Sequence, residues 1–236
     1  MLLELLTDAG GSMGLTQLSE ASGLALPTIH RLMSTLTASG YVRRETSRRY
    51  SLGPRLVRIG EAASRAFGEW AMPSLRRLVE LTGETANLAM LDGDAVVYVG
   101  QAPSPHAMRM FTEPGRRVLP HCTGVGKALL SQLPDAEARA ILDRTGMASL
   151  TAKTITDPDV LIAQLAGIRA QGYALDDNEQ EVGVRCVAVP VPAAPGRIAI
   201  SVSGPQARIG EEQIARMVPV LQAVADELGR TAAEYQ

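Results

Sequence analysis

Six of the seven arginines in the first sixty residues fall between Arg43 and Arg58, and only Glu45 opposes them there. Just upstream, Thr28, His30, Arg31, Ser34 and Thr35 recur at spacings that share one side of a helix. Short hydrogen-bonders beside a long cation can reach base edges and phosphates in a major groove. Clustered guanidinium groups supply the forked donors that phosphate oxygens accept. The first sixty residues carry +3 on a chain whose net charge is −2. A basic patch on an otherwise acidic chain is the footprint of a polyanion-binding module. A solvated charged hairpin is the alternative, and it accounts for the cluster only if the cluster stands alone.

It does not stand alone. Leu2, Leu3, Leu5 and Leu6 follow a helical face that Gly10-Gly11 ends. A second helix starts near Leu15, with Thr16 as its N-cap, Leu18 and Ala21 inward, and Gly23 making a left-handed turn. A third runs from Pro27 to Ser39 and stops at Gly40, with proline at the first helical position. Its apolar stripe is Ile29, Leu32, Met33 and Leu36, opposite the polar set. Two short helices around a glycine-containing turn make a helix-turn-helix. The segments 41–45 and 48–52 flank Thr46-Ser47 as a hairpin, a wing aimed at flanking phosphates or the minor groove. The expected DNA contacts are Thr28, His30, Arg31 and Ser34 from the helix, with Arg43, Arg44, Arg48, Arg49 and Tyr50 from the wing.

The whole chain has 236 residues, 46% hydrophobic and 20% charged, which fits two unequal globular domains and excludes disorder. No apolar run approaches the roughly 18–20 residues that cross a bilayer, so no membrane partner is expected. The opening residues lack the features of a signal peptide. Cys122 and Cys186 are far apart and in no metal-like spacing, which fits a reducing, cytoplasmic setting. His121 beside Cys122 makes a poor metal site, because two adjacent ligands cannot both reach one ion well. No metal and no cofactor are expected.

Beyond residue 53 the pattern predicts a linker helix over 54–71 and a helix over 73–82. Strands follow at 85–91 and 95–100 around the turn pair Asp92-Gly93, with a further strand-like alternation from Met108 to Phe111. Helices are read over 122–132, 134–144, 157–171 and about 210–234, and strands over 173–176, 186–191 and 197–203. The fold class is α+β: a winged helix-turn-helix over 1–53, the linker helix, and over 72–236 an antiparallel sheet flanked by helices.

These residues resemble the IclR family of prokaryotic transcription regulators over essentially the whole chain. The resemblance rests on Leu26-Pro27-Thr28-Ile29-His30-Arg31-Leu32, and on Gly40-Tyr41-Val42 leading to Tyr50-Ser51-Leu52-Gly53. Further on it rests on the run from Leu119 to Leu130, on Gly172 to Glu179, on Gly183 to Pro190, and on Ser201-Val202-Ser203-Gly204-Pro205 with Arg208-Ile209. One departure is a short-looking segment at 192–196, so Ser201 and Ser203 are aligned by their motif and not by distance from Cys186.

The resemblance implies a GAF-like effector-binding domain, a homodimer or homotetramer on double-stranded operator DNA, and control of a catabolic operon, with repression the expected sense. It also implies an effector pocket built from the backbone at Gly124 and Val125, the side chains of Asp176, Cys186, Ser201 and Ser203, and walls from Met108 and Met110. The chemistry is coherent. Small residues at a helix start let an anion approach unsatisfied N–H groups. Serines two apart on a strand face the same way. A buried Asp176 needs a ligand hydroxyl or a proton. A small oxo- or hydroxy-acid fits. Other readings have Ser201 and Ser203 bonding only within the sheet, Cys186 as a buried apolar-type residue, and Met108 and Met110 as core or dimer interface. A cysteine-dependent enzyme is the competing function, but it needs a positioned base, and only His30, His106 and His121 exist. A third reading is a sensor that recruits only a partner protein.

Overall fold

Apolar residues three and four apart, punctuated by glycine, set out the first helices. The computed structural model describes residues 1–192, 194 and 196–234, and its contacts divide the chain into two units, Met1–Ala63 and Ser64–Gln236. The first holds α1 (Leu2–Asp8), β1 (Ser12–Met13), α2 (Leu15–Ser22), α3 (Leu26–Ala38), β2 (Val42–Arg44) and β3 (Tyr50–Leu52). Leu6, Leu18, Ile29, Met33, Val42 and Tyr50 form its core. Strand β3 pairs antiparallel with both β1 and β2, which joins the wing to the start of α2.

Three local expectations change. The N-cap of α2 is Gly14, not Thr16; the Gln17 side chain reaches back to accept the Gly14 N–H at 3.0 Å. Ala21 is exposed, and Leu18 is the buried residue of α2. Leu32 is 37% exposed; it lies on the edge of a stripe that Ile29, Met33 and Leu36 centre on the core.

Helix α4 (Arg55–Phe67) follows, then a 3₁₀ turn at Glu69–Ala71. These cover the segment read as a linker. The boundary between the units falls within α4.

The second unit contains α5 (Met72–Thr82), β4 (Thr85–Asp92), β5 (Ala95–Ala102), β6 (Arg117–Val118), α6 (Gly124–Leu130), α7 (Asp135–Thr145), α8 (Pro158–Gln171), β7 (Ala174–Asp177), β8 (Val184–Pro190), β9 (Ile198–Pro205) and α9 (Glu211–Glu234). The strands form one antiparallel sheet ordered β6-β5-β4-β9-β8-β7. Alternation along β9 sends Ile198, Ile200 and Val202 to a core with α5 and α9. Ala199 joins a second core with α6, α7 and α8 on the opposite face. The sheet is therefore buried on both faces, and polar residues on the α6 side must find partners or a cavity.

The strand expected at 108–111 does not form. This stretch is loop, with Met108 and Phe111 72% and 66% exposed, and the edge of the sheet beside β5 is taken by β6. Four alternating residues are too few to specify a strand without a pairing edge. Of the short-looking segment at 192–196, residues 193 and 195 lie outside the described residues.

Candidate functional site

Helix α3 presents His30, Arg31, Ser34 and Thr35 to solvent, while Thr28 is half-buried near its start. The wing arginines differ in how they are held. Arg43 and Arg44 are exposed on β2; Arg43 Nε donates to Ser51 Oγ at 2.9 Å, and the Arg44 guanidinium lies 5.9 Å from the Tyr50 ring centroid. Arg48 sits at the tip with φ +64, donating its N–H to the Glu45 carbonyl at 3.0 Å. That left-handed position closes the turn and usually carries glycine or asparagine.

Two of the expected DNA contacts are committed elsewhere. Arg49 donates to the Ser12 carbonyl at 2.6 Å, to Ser12 Oγ at 3.2 Å and to Gln17 Oε1 at 3.2 Å. It is a clamp between the wing, β1 and α2. Tyr50 is only 3% exposed, so its ring belongs to the core beneath Arg44. The alternation of β3 turned it inward, and the sequence alone did not distinguish the two faces of so short a strand.

In the second unit, cross-strand register assembles a polar row. Asp176 pairs with Cys186, Cys186 with Ser203, and Ser203 with Thr85 across β7, β8, β9 and β4. Residues opposite each other share a face, so the row opens on the α6 side. There a cavity of about 40 Å³ is lined by Asp176, Cys186, Ser203 and Gly124, with Tyr98, Thr123 and Met110 around them. The loop carrying Met110 is pinned by Thr85 Oγ1, which donates to the Met110 carbonyl at 3.1 Å.

The remaining expected residues lie elsewhere. Ser201 belongs to the next row, with Ala188 and Asn87; it is fully buried and accepts from Asn87 Nδ2 at 3.5 Å. The Val125 side chain packs in the apolar core of the α6 face. Met108 is 72% exposed and does not line the cavity. The two serines share a strand face and are both buried, and Ser203 is the one that lines the cavity.

Gly124 is where a side chain is not tolerated. A Cβ there would stand 2.9 Å from Cys186 Sγ, and one at Gly126 would fall on the Pro120 carbonyl oxygen. The Thr123 hydroxyl already accepts the Gly126 N–H at 3.0 Å. Burial pushes the Cys122 thiol up to about 12 and the Cys186 thiol up to about 11, which keeps both protonated at neutral pH. A cysteine nucleophile needs the opposite shift. His121 has its Nε2 at 3.0 Å from the Ala148 carbonyl oxygen, and burial lowers its pKa.

Asp176 is raised to about 6, chiefly by burial, against the stabilising N–H donors of Glu179 at 2.8 Å and Gln180 at 3.4 Å. Glu179 in turn is fixed by Lys127 Nζ and by the hydroxyl of Thr154 on its carbonyl. The cavity wall therefore depends on groups well outside it.

Residues 1–46 match the IclR helix-turn-helix domain, and residues 63–230 match the bacterial transcriptional regulator IclR C-terminal domain. The chain belongs to the IclR family of transcriptional regulators. It is 38% identical to the HTH-type transcriptional regulator BhcR of Paracoccus denitrificans, over 96% of this chain and 83% of that one. It is 33% identical to the transcriptional repressor IclR of Escherichia coli, over 96% and 85%. Among solved structures, an IclR regulator from Silicibacter sp. TM1040 superposes with a TM-score of 0.85 at 31% identity, covering 98% of this chain and 94% of that one.

As an IclR-family regulator the chain pairs a DNA-binding helix-turn-helix domain with the family's C-terminal domain. Among the described residues, no helix is long and apolar enough to cross a membrane. Sequence reasoning passed over eight residues of the cavity, among them Tyr98, Thr112, Arg116 and Gln180. Tyr98 was legible as an alternating position of β5. Thr112, Arg116 and Gln180 sit in loops, and no periodicity marks a loop residue that folds over a site.

Proposed function

We propose that this regulator represses a catabolic operon and releases its operator when a small hydroxy- or oxo-acid enters the cavity beside Asp176. The register row of Asp176, Cys186 and Ser203 carries the reading, because it aims an acceptor, a thiol and a hydroxyl into one small space. With a volume of about 40 Å³ the cavity is small, which favours a small acid over a larger ligand. A ligand hydroxyl, or the hydrate of an oxo group, would donate to Asp176 and relieve its burial.

Repression is supported by two relatives, the transcriptional repressor IclR of E. coli and the acetate operon repressor of Salmonella typhimurium, which is 34% identical. On the DNA side, His30, Arg31 and Ser34 would enter the major groove, with Thr28 at the helix start and Arg43, Arg44 and Arg48 on flanking phosphates. The active form would be a homodimer or homotetramer. Exposed Ile59 on α4, with Leu56 and Ala63 on the same side of the helix, offers an apolar face for a second copy. A ligand that favours one dimer geometry would change the spacing of the two recognition helices.

The test is a thermal-shift screen with glycolate, glyoxylate, lactate, pyruvate and simple aromatic acids, followed by gel shift on DNA upstream of the regulator's own gene. A bound acid raises the midpoint by mass action and releases the DNA. Preference for uncharged aromatics, or binding without any effect on the DNA complex, sinks the proposal.

A further inference from the structure

Arg116 and Arg117 are adjacent in sequence and differ in what they hold. Arg117 is spent outside the cavity, donating to Asp92 Oδ2 at 2.6 Å and to the Asp92 carbonyl at 3.1 Å. The Arg116 guanidinium has no ion pair or hydrogen bond among the described residues, yet it lines the cavity that holds Asp176. It is not there through a loose loop. The Tyr98 N–H donates to the Arg116 carbonyl at 3.1 Å, the Arg116 N–H to the Glu113 carbonyl at 3.0 Å, and the Gly115 N–H to the Tyr98 carbonyl at 2.6 Å. The Tyr98 ring itself lines the cavity.

The cavity thus has two unlike ends. Around Asp176 it offers acceptors: the carboxylate, and Gln180 Oε1, which is buried without a partner. Buried acceptors call for a donor. At Arg116 it offers an unpaired cation with five N–H groups in a fork that matches a carboxylate. The start of α6 is less open to an anion, because the Thr123 hydroxyl takes the Gly126 N–H and Cys186 Sγ packs against Gly124.

We infer that Arg116 is the carboxylate anchor of the ligand site. The ligand lies with its hydroxyl or hydrated oxo group toward Asp176 and Gln180, and its carboxylate toward Arg116. This orientation is opposite to the one that the glycine-rich helix start suggests. It rests on the organic-acid reading above, and it excludes neutral ligands of the same size from tight binding. Glu181, the other charged group of the lining, makes no ion pair among the described residues and repels the same carboxylate.

The experiment is titration calorimetry of the full chain with glycolate and lactate and with their neutral amides, glycolamide and lactamide. Wild type should prefer each acid. Arg116→Gln should weaken the acids by about tenfold or more and leave the amides nearly unchanged, as loss of one charge-assisted pair requires. Arg116→Lys should recover part of the loss, and Glu181→Gln should tighten the acids by about twofold. An unchanged melting midpoint of each ligand-free variant checks its fold. If wild type and Arg116→Gln bind the acids equally, or if acids and amides lose equally, the Arg116 assignment is overturned while the organic-acid reading survives. If neither acid binds wild type, both are overturned.

Discussion

Lys127 Nζ lies 2.5 Å from Glu179 Oε1, with the lysine fully buried in α6 and the glutamate side chain 8% exposed. The pair joins the helix at one wall of the cavity to the loop at the other. Glu179 is held at three points: its side chain by Lys127, its carbonyl by the Thr154 hydroxyl, and its N–H on Asp176 Oδ1. Its second carboxylate oxygen is buried without a partner, so the charge depends heavily on Lys127.

Removing one partner should therefore cost more than removing both. Lys127→Met leaves a buried carboxylate unpaired and should destabilise the second unit by about 3–5 kcal/mol. Lys127→Met combined with Glu179→Gln should cost less than the single change, a non-additivity read from urea unfolding. Equal or additive losses would mean that the pair acts only by packing.

The basic residues of the first unit should separate into three kinds. Arg31→Ala should weaken operator binding by about 1–3 kcal/mol and relax discrimination at one or two base pairs. Arg48→Ala should weaken all sequences alike and lower the salt dependence of binding by roughly one counterion. Arg49→Ala removes three hydrogen bonds that tie the wing to β1 and α2, so it should lower the melting midpoint of the isolated protein as well. Binding isotherms at several salt concentrations, with thermal melts, distinguish the three. An Arg49→Ala protein with wild-type stability would refute the clamp.

Asp176 sets a pH dependence of stability. Its pKa rises on folding from 3.8 to about 6, so the native state holds this proton more tightly than the unfolded chain does. The contribution is full below the unfolded pKa of 3.8, where both states are protonated. It falls as pH climbs from about 4 to 6 and is flat above that. Asp176→Asn keeps an acceptor for the two N–H groups and cannot ionise. It should be more stable than wild type at pH 8 by about 2–3 kcal/mol, and close to wild type at pH 4. Denaturant midpoints across that range check it, and a constant difference at all pH values would show that ionisation is not the cause.

The one-dimensional pattern carried the architecture because periodicity and punctuation are local. Ile29, Met33 and Leu36 mark the buried face of α3 wherever the chain goes, and Gly23 and Gly40 end helices by their own backbone freedom. The arginine cluster and the Ser-Val-Ser-Gly-Pro run were equally visible. What tertiary structure decided was which of two equivalent-looking residues does what. Ser201 and Ser203 share a strand face and are both buried, yet cross-strand register sets Ser203 beside Cys186 in the cavity lining and Ser201 beside Ala188. Arg48 and Arg49 are neighbours, yet one stands free at the wing tip and the other is spent on Ser12 and Gln17. Arg116 gains its place only because the turn before β6 is hydrogen-bonded to Tyr98. These outcomes depend on contacts between segments far apart in the chain, and no local periodicity encodes the partner of a side chain.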